Sequence, residues 1–287
     1  MSGFTEHPVF VPVGDEFIAA VLTVPDETPR GLVVLSTGVG ATRSHRFQVW
    51  TRTARRLAED KAIASIRLDY LGVGDSTAEI RAWTQQNVPS REALAAAVFG
   101  MRAVGVDHVA SAGNCIGSWA SLGMADGVPG WLGAALIRMP LLDGGAMTAV
   151  RRRAGRSGLL RTMIKVLRSN TFIRRRILRR MADATRRAYV PTRELFPHGL
   201  ARGDLLFLWG EDDYTFSRKV RPVLRDLAKA VPKDRRDAYE IRVVPGRSLQ
   251  GFDAVRSQDL VVDTLVEWFD QLFATKAGRP GRAMAEI

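Results

Sequence analysis

Short apolar runs alternate with longer amphipathic stretches along most of the chain. Runs typical of buried strands lie at 31–36, 62–68, 109–112, 132–139, 205–209 and 239–244. Helical periodicity separates them, at about 46–60, 90–104, 218–230 and 257–273, with a further helix that ends near 126. Strands and helices that alternate in this way predict a mostly parallel sheet with right-handed crossovers. An antiparallel hairpin is predicted before this series, from 10–13 and 16–24.

The alternation breaks after Pro140, where a strongly basic segment begins. Between Arg151 and Arg193 there are 15 basic residues and a single acid, Asp183. Apolar residues recur there at helical spacing, so two amphipathic helices with arginines on their outer faces are predicted. The sequence therefore predicts three parts: an α/β core at 1–143 and 200–275, a basic helical segment at 144–199, and a flexible tail at 276–287.

Composition narrows the class of protein. The chain has 287 residues and 46% hydrophobic side chains, which is enough for a globular core. No apolar run is long enough to span a membrane and the N-terminus lacks a signal-peptide pattern, so a cytoplasmic protein is expected. One cysteine allows neither an internal disulfide nor a multi-cysteine metal site, and we expect no metal or other cofactor. The net charge of +12 indicates an acidic partner or a role in solvation alone.

The cysteine lies in a glycine frame between a predicted strand and a predicted helix. The segment reads Gly113-Asn114-Cys115-Ile116-Gly117. Glycines on both sides permit a tight turn that holds a nucleophile in a strained conformation. The following helix offers the positive end of its dipole and free N–H groups, which lower a thiol pKa and stabilise an oxyanion. The alternative is a buried, inert cysteine in a glycine-rich turn.

Three further motifs resemble those of the α/β-hydrolase superfamily, in the family's order. Arg67 to Ser76 resembles its R-x-D-x-x-G-x-G-x-S loop, about forty residues before the cysteine, and Leu205 to Asp213 resembles its late strand that ends in Gly-x-x-Asp. Residues 38–46 stand at its oxyanion loop. The resemblance implies an α/β-hydrolase fold: a mostly parallel central sheet, helices on both faces, and a helical lid at 144–199 inserted after the sixth strand.

The resemblance also implies roles for individual residues. Cys115 is the nucleophile, and Asp213 is the acid, with Asp212 as the alternative. The oxyanion and substrate-binding groups are Gly38, Val39, Gly40 and Ile116. Together with the cysteine, these motifs are similar to a subgroup of cysteine-type hydrolases found beside exosortase-type exopolysaccharide-sorting or natural-product biosynthesis systems.

The family's catalytic histidine is missing. It normally follows the last strand after a Pro-Gly turn, but residues 244–252 read VPGRSLQGF. The only histidines are His7, His45, His108 and His198. His45, which opens the helix after the oxyanion loop, is the candidate substitute base; its alternatives are a helix-start residue or a substrate-binding group. Arg247 stands in the place of the lost histidine, where it is expected to hold a carboxylate or phosphate or to pair with Asp213.

Two functions follow from this pattern. A thiolate attacks without a histidine, whereas deacylation by water needs a general base, so the site is biased toward transfer. The first function is an acyl-transfer enzyme, an acyltransferase or a thioesterase-like protein, that acts through a covalent Cys115 acyl-enzyme on an ester or a carrier-bound thioester. The alternative is a non-catalytic binding protein of the hydrolase fold that has lost its histidine.

The basic segment points to the partner. Arginines such as Arg174, Arg175 and Arg179 have almost no acids nearby in sequence, so an acidic partner would relieve their mutual repulsion. An acidic acyl carrier protein is the favoured partner, with a coenzyme A phosphate or an anionic membrane surface as alternatives. Nucleic acid is not expected, because no aromatic residues are interleaved with the arginines in a known reading motif.

Overall fold

The computed structural model describes residues 3–38, 41–79, 88–141, 190–216, 220–246, 249, 252 and 254–276. The strands are β1 (Phe4–Val13), β2 (Glu16–Pro25), β3 (Leu32–Ser36), β4 (Ala64–Leu68), β5 (Val109–Asn114), β6 (Trp131–Ile137), β7 (Asp204–Gly210) and β8 (Tyr239–Val244). They form an eight-stranded sheet in the order β1-β2-β4-β3-β5-β6-β7-β8. β1 and β2 pair antiparallel, as the sequence predicts, and β2 is antiparallel to β4. The strands from β4 to β8 in that order are parallel.

Helices connect these strands. They are α1 (Val49–Lys61), α2 (Ser90–Val104), α3 (Gly117–Gly123), α4 (Val190–Arg202), α5 (Glu211–Phe216), α6 (Val220–Ala228) and α7 (Val255–Lys276). Within the described residues, none is both long and apolar enough to cross a membrane.

The sheet separates two hydrophobic cores, which explains its continuous apolar strands. Every residue of β3 and β6 is buried, as in parallel strands covered on both faces. On one face the strands pack against α2, α3, α4 and α6, which contribute Ala96, Trp119, Phe196 and Leu224. On the other face they pack against α1 and α7, whose buried residues include Trp50. The predicted mostly parallel sheet with helices on both faces is confirmed.

Two predicted helices begin or end elsewhere. The helix expected from residue 46 starts at Val49, because Phe47 and Gln48 have φ values of 53° and 57°, which an α-helix excludes. Arg46–Gln48 forms a 3-10 turn in its place. The helix expected to reach residue 126 ends at Gly123, and tight turns follow, such as the bond from the Gly127 N–H to the Met124 carbonyl at 3.1 Å. Both differences leave the strand ends where the motifs require them.

The predicted lid falls almost entirely outside the described residues, which resume at α4. This helix packs into the core: Phe196 and Leu200 are buried. Its Thr192 hydroxyl accepts from the Trp119 indole at 2.9 Å and donates to the Pro140 carbonyl at 2.7 Å. Residues 190–202 are therefore fixed against the end of β6.

Candidate active site

Cys115 lies at the turn that joins β5 to α3. Its φ of 55° is in the left-handed region that L-residues rarely adopt. Its N–H donates to the Ile137 carbonyl of β6 at 2.9 Å, and its own carbonyl accepts from the Ser118 N–H at 3.1 Å. The thiol is free and partly exposed. The predicted sharp turn from strand to helix is confirmed, and we call Gly113–Gly117 the elbow.

Close backbone approach explains the two glycines of the elbow. A Cβ on Gly113 would lie 2.5 Å from the Ser118 nitrogen, and one on Gly117 would lie 2.7 Å from the Ser36 carbonyl oxygen. The loop after β3 also covers the elbow, since a Cβ on Gly38 would be 3.2 Å from the Asn114 carbonyl oxygen and 3.2 Å from the Cys115 Cβ. Gly38 therefore faces Cys115, as predicted; Val39 and Gly40 lie outside the described residues.

Ile116 provides a backbone N–H donor beside the thiol. Among the described residues nothing accepts a hydrogen bond from its N–H, as is usual at the start of a helix. Such a donor is suited to an oxyanion that develops next to Cys115.

The R-x-D-x-x-G-x-G-x-S loop after β4 anchors the loop that carries Gly38 and His45. Asp69 is fully buried and accepts hydrogen bonds from both the backbone N–H and the guanidinium of Arg43. Arg43 also reaches Asp75 at 2.7 Å. The buried carboxylate thus holds the β3–α1 loop over the strand ends.

Glycines supply the tight backbone of this loop. Gly72 and Gly74 have φ values of 75° and 58°, and a Cβ on Gly74 would collide with the Asp69 carboxylate. The Ser76 hydroxyl donates to the Asp69 carbonyl at 3.0 Å and accepts from the Ala19 N–H at 2.8 Å. We call Asp69–Ser76 the anchor turn, because its polar groups hold neighbouring segments together.

His45 lies beside the elbow, in contact with Asn114. Its Nε2 is 2.8 Å from the Asn114 Nδ2, and only 8% of the residue is exposed. Burial lowers the pKa of His45 to about 4. Within the described residues no hydrogen bond joins His45 to Cys115. Its role as a base stays a prediction.

Asp213 lies after β7 and is bound by an arginine from the neighbouring strand end. Its Oδ1 accepts from the Arg138 Nε at 2.9 Å, and its Oδ2 accepts from the Leu249 N–H at 2.7 Å. The Asp213 side chain is 9% exposed, whereas neighbouring Asp212 is exposed, so Asp213 is the better placed of the two candidate acids. Arg247, expected to hold a carboxylate or phosphate or to pair with Asp213, lies outside the described residues.

The remaining histidines, His7, His108 and His198, lie away from the elbow. His108 comes directly before β5, at the end of this strand opposite to Cys115. His7 is exposed on β1, and the imidazole of His198 lies 3.0 Å from the Asp126 carboxylate at the surface. Residues 197–199 lie within α4, because their neighbours Phe196 and Leu200 are held in the core despite Pro197. Arg174, Arg175 and Arg179 lie outside the described residues.

Backbone strain is concentrated at the strand ends around the elbow. Eight non-glycine residues among those described have positive φ, and six of them follow β3, β5, β6 or β8: His45, Phe47, Gln48, Cys115, Arg138 and Phe252. Left-handed conformations of non-glycine residues cost free energy and tend to cluster at functional sites. The carboxyl edge of the sheet is accordingly the candidate active site.

Comparison with known proteins gives a fold but no close relative. No protein-family model and no curated protein matches the chain. Solved structures do match: an esterase from Pyrococcus furiosus, Pf2001, is 12% identical over 96% of this chain and 94% of its own, with a TM-score of 0.60. A dienelactone hydrolase from Anabaena variabilis is 15% identical over 94% and 98%, with a TM-score of 0.59. Est1E from Butyrivibrio proteoclasticus, solved with ferulic acid bound, is 15% identical over 93% and 99%, with a TM-score of 0.57.

These matches span nearly the whole of each chain, and with the sheet order they define the class. The chain has the α/β-hydrolase fold. Cys115, the anchor turn and Asp213 follow β5, β4 and β7, at one edge of its sheet.

Sequence reasoning missed two residues of this site. Arg138, which binds Asp213, comes directly after the buried strand β6, and Asn114, which contacts His45, comes directly before Cys115. Arg138 could have been found from the sequence, because it is a charged residue directly after an apolar strand that neighbours the strand of the elbow. No sequence pattern indicates the contact between His45 and Asn114, because 69 positions separate them.

Proposed function

We propose that the protein is an acyl-transfer enzyme in which Cys115 forms a covalent acyl-enzyme. The observation that carries the proposal is the partly exposed Cys115 thiol on a strained backbone at the elbow. The Ile116 N–H, which has no acceptor among the described residues, lies beside it, and the Gly38 loop lies over it. An inert buried cysteine would not need a left-handed backbone, which costs about 1–2 kcal/mol for an L-residue. The esterase and hydrolase folds among the similar structures are consistent with this chemistry.

The reaction has two steps. The Cys115 thiolate attacks the acyl carbon of an ester or thioester and a C–S bond forms. The Ile116 N–H, with the loop at Gly38, Val39 and Gly40, binds the intermediate oxyanion. The bond from the acyl carbon to the leaving oxygen or sulfur then breaks, and the leaving alkoxide or thiolate takes a proton from solvent. An acceptor amine or thiol attacks the acyl-enzyme and loses its proton to solvent, while the bond from the acyl carbon to the Cys115 sulfur breaks and the thiolate is released.

In a catalytic triad the acid at this position would bind a histidine, whereas Asp213 binds an arginine. It binds the Arg138 guanidinium and the Leu249 N–H, so it is suited to orienting a cation next to the elbow strand. Cys115 is linked to the residue before Arg138 by its hydrogen bond to the Ile137 carbonyl. We infer that the ion pair of Arg138 and Asp213 orders the end of β6 beside the elbow, and that Arg247 binds a substrate anion.

Partition of a thioester between acceptors tests transfer. An N-acetylcysteamine thioester is supplied with water alone, with an amine and with a second thiol, and each product is quantified. We expect amine and thiol products to exceed hydrolysis by at least tenfold, because a good nucleophile depends less on a base than water does. Cys115→Ser should lose nearly all turnover, since a hydroxyl needs the missing histidine. Rapid hydrolysis by the serine variant would refute this account and reveal a working base.

The acyl donor is proposed to be an acidic acyl carrier protein that docks on Arg174, Arg175 and Arg179. The 15 basic residues and single acid between Arg151 and Arg193 support this. Changing these three arginines to Glu should slow acylation by a carrier-bound thioester at least tenfold and leave the small uncharged thioester unaffected. The carrier rate of the wild type should also fall steeply with salt. If both substrates slowed equally, the arginines would serve folding instead.

A further inference from the structure

Asn114, the residue before the nucleophile, has its side chain bound by His45. Its Nδ2 lies 2.8 Å from the His45 Nε2, and both residues are buried, at 9% and 8% exposure. With the Asn114 amide oriented in this way, its NH2 group donates and the imidazole Nε2 accepts. The ring proton is then placed on Nδ1, which is buried and has no hydrogen-bond partner among the described residues. The lone pair that a general base would use is therefore occupied by Asn114.

Aromatic residues fix the imidazole from two further directions. The ring of Phe252, after β8, meets it edge-on with centroids 5.0 Å apart, and Trp50 of α1 lies at 5.4 Å. His45 thereby contacts the elbow, the first turn of α1 and the segment after β8. A side chain enclosed in this way has little freedom to swing toward Cys115 and back during turnover.

The backbone at His45 is in a conformation that suits glycine. Its φ of 60° and ψ of 170° fall in a region that non-glycine residues enter at a cost of roughly 1–3 kcal/mol. Glycine would avoid that cost, so the contacts of the imidazole must compensate for it. One of these contacts is to Asn114, the residue before Cys115.

We propose that His45 is a positioning residue: by accepting a hydrogen bond from Asn114 it locks the elbow against the β3–α1 loop and so fixes Cys115 relative to Gly38. This inference rests on the proposed acyl-enzyme chemistry for its functional meaning. It assigns His45 a part in geometry, exerted through Asn114, and no proton transfer.

Three variants at His45 separate positioning from base catalysis. His45→Gln retains an acceptor oxygen for Asn114, His45→Leu retains bulk without an acceptor, and His45→Gly relieves the backbone strain without an acceptor. The readout is the rate constant for acylation of Cys115 by an N-acetylcysteamine thioester at saturation, measured from pH 5 to 9. We expect His45→Gln to stay within about threefold of wild type with the same pH profile, and the other two to fall at least tenfold.

A double-variant cycle tests whether the effect passes through Asn114. If it does, Asn114→Leu falls as far as His45→Leu, and the double variant falls no further. Additive losses in the double variant would overturn the proposal. It would also be overturned, in favour of a base, if the acylation rate constant of His45→Gln fell as far as that of His45→Leu and its pH profile lost an ionisation. Wild-type rates in all variants would overturn it as well.

The rate of Cys115 alkylation by iodoacetamide separates this inference from the proposed function. Alkylation needs no acyl chemistry, yet it depends on how the thiol is held. If neither the wild type nor any variant forms an acyl adduct, the proposed function fails. Positioning is then still supported by alkylation rates that differ between His45→Leu and His45→Gln, and is refuted by equal ones.

Discussion

The anchor turn after β4 and the elbow after β5 are both glycine-rich turns at the same edge of the sheet, but they place strain differently. In the anchor turn the positive φ angles belong to Gly72 and Gly74, and the buried Asp69 is fully bonded to its surroundings. In the elbow the positive φ belongs to Cys115, while the glycines serve close backbone approach. In one turn glycine avoids the strain, and in the other the strain falls on the cysteine that we propose as the nucleophile.

This difference distinguishes a structural turn from a chemical one. A non-glycine residue keeps an unfavourable backbone only where its contacts or its function compensate for the cost, which glycine would otherwise remove. A nucleophile must project from its turn, and the surrounding contacts enforce that geometry. Substitutions in the anchor turn should accordingly reduce stability, whereas substitutions in the elbow should reduce chemistry.

The largest effect on stability is expected for Gly74→Ala. The new Cβ would displace the buried Asp69 carboxylate from Arg43 in addition to straining the backbone, so we expect a loss of about 3 kcal/mol or more in the free energy of unfolding. Gly105→Ala is the matched control: its φ is +69° but nothing lies within 4 Å of the added Cβ, so about 1 kcal/mol is expected. Urea unfolding measures both. Equal losses would contradict the anchoring role of Asp69.

The second largest effect on stability is expected from acid, through protonation of His45 beside the elbow. Burial lowers the pKa of His45 from 6.5 to about 4, so the folded protein binds this proton less well than the unfolded chain. The contribution of neutral His45 to the free energy of unfolding is fully present above pH 6.5. It is lost as the pH falls toward about 4, by at most about 3 kcal/mol. His45→Gln should flatten this part of the pH profile of unfolding, and His7→Gln, at an exposed site, should not. A slope unchanged in His45→Gln would show that other groups cause it.

The smallest stability effect is expected at Cys115 itself. Cys115→Gly should be about 1 kcal/mol more stable than Cys115→Ala, because alanine keeps the strained φ and glycine relieves it. Neither variant should react with thioesters. Chemical denaturation compares them, and an alanine variant at least as stable as the glycine variant would remove the argument from strain.

Much of this arrangement could be predicted from the sequence, for physical reasons. Buried parallel strands such as β3 and β6 are continuous apolar runs, and the elbow has a spacing set by backbone packing alone. The pairing of Arg138 with Asp213 could not be derived, because it depends on which strands are neighbours in the sheet. The bond between His45 and Asn114 depends on a backbone conformation at His45 that no propensity favours.

The measurement that tests the central claim most directly is the intact mass of the protein after incubation with an N-acetylcysteamine thioester. The account predicts that wild type gains one acyl group and that Cys115→Ala gains none, while its unfolding curve stays close to that of wild type. An adduct that persists in Cys115→Ala would contradict the assignment of the nucleophile. No adduct on wild type at any pH from 5 to 9 would contradict the acyl-enzyme and favour a binding protein that has kept the hydrolase fold without its chemistry.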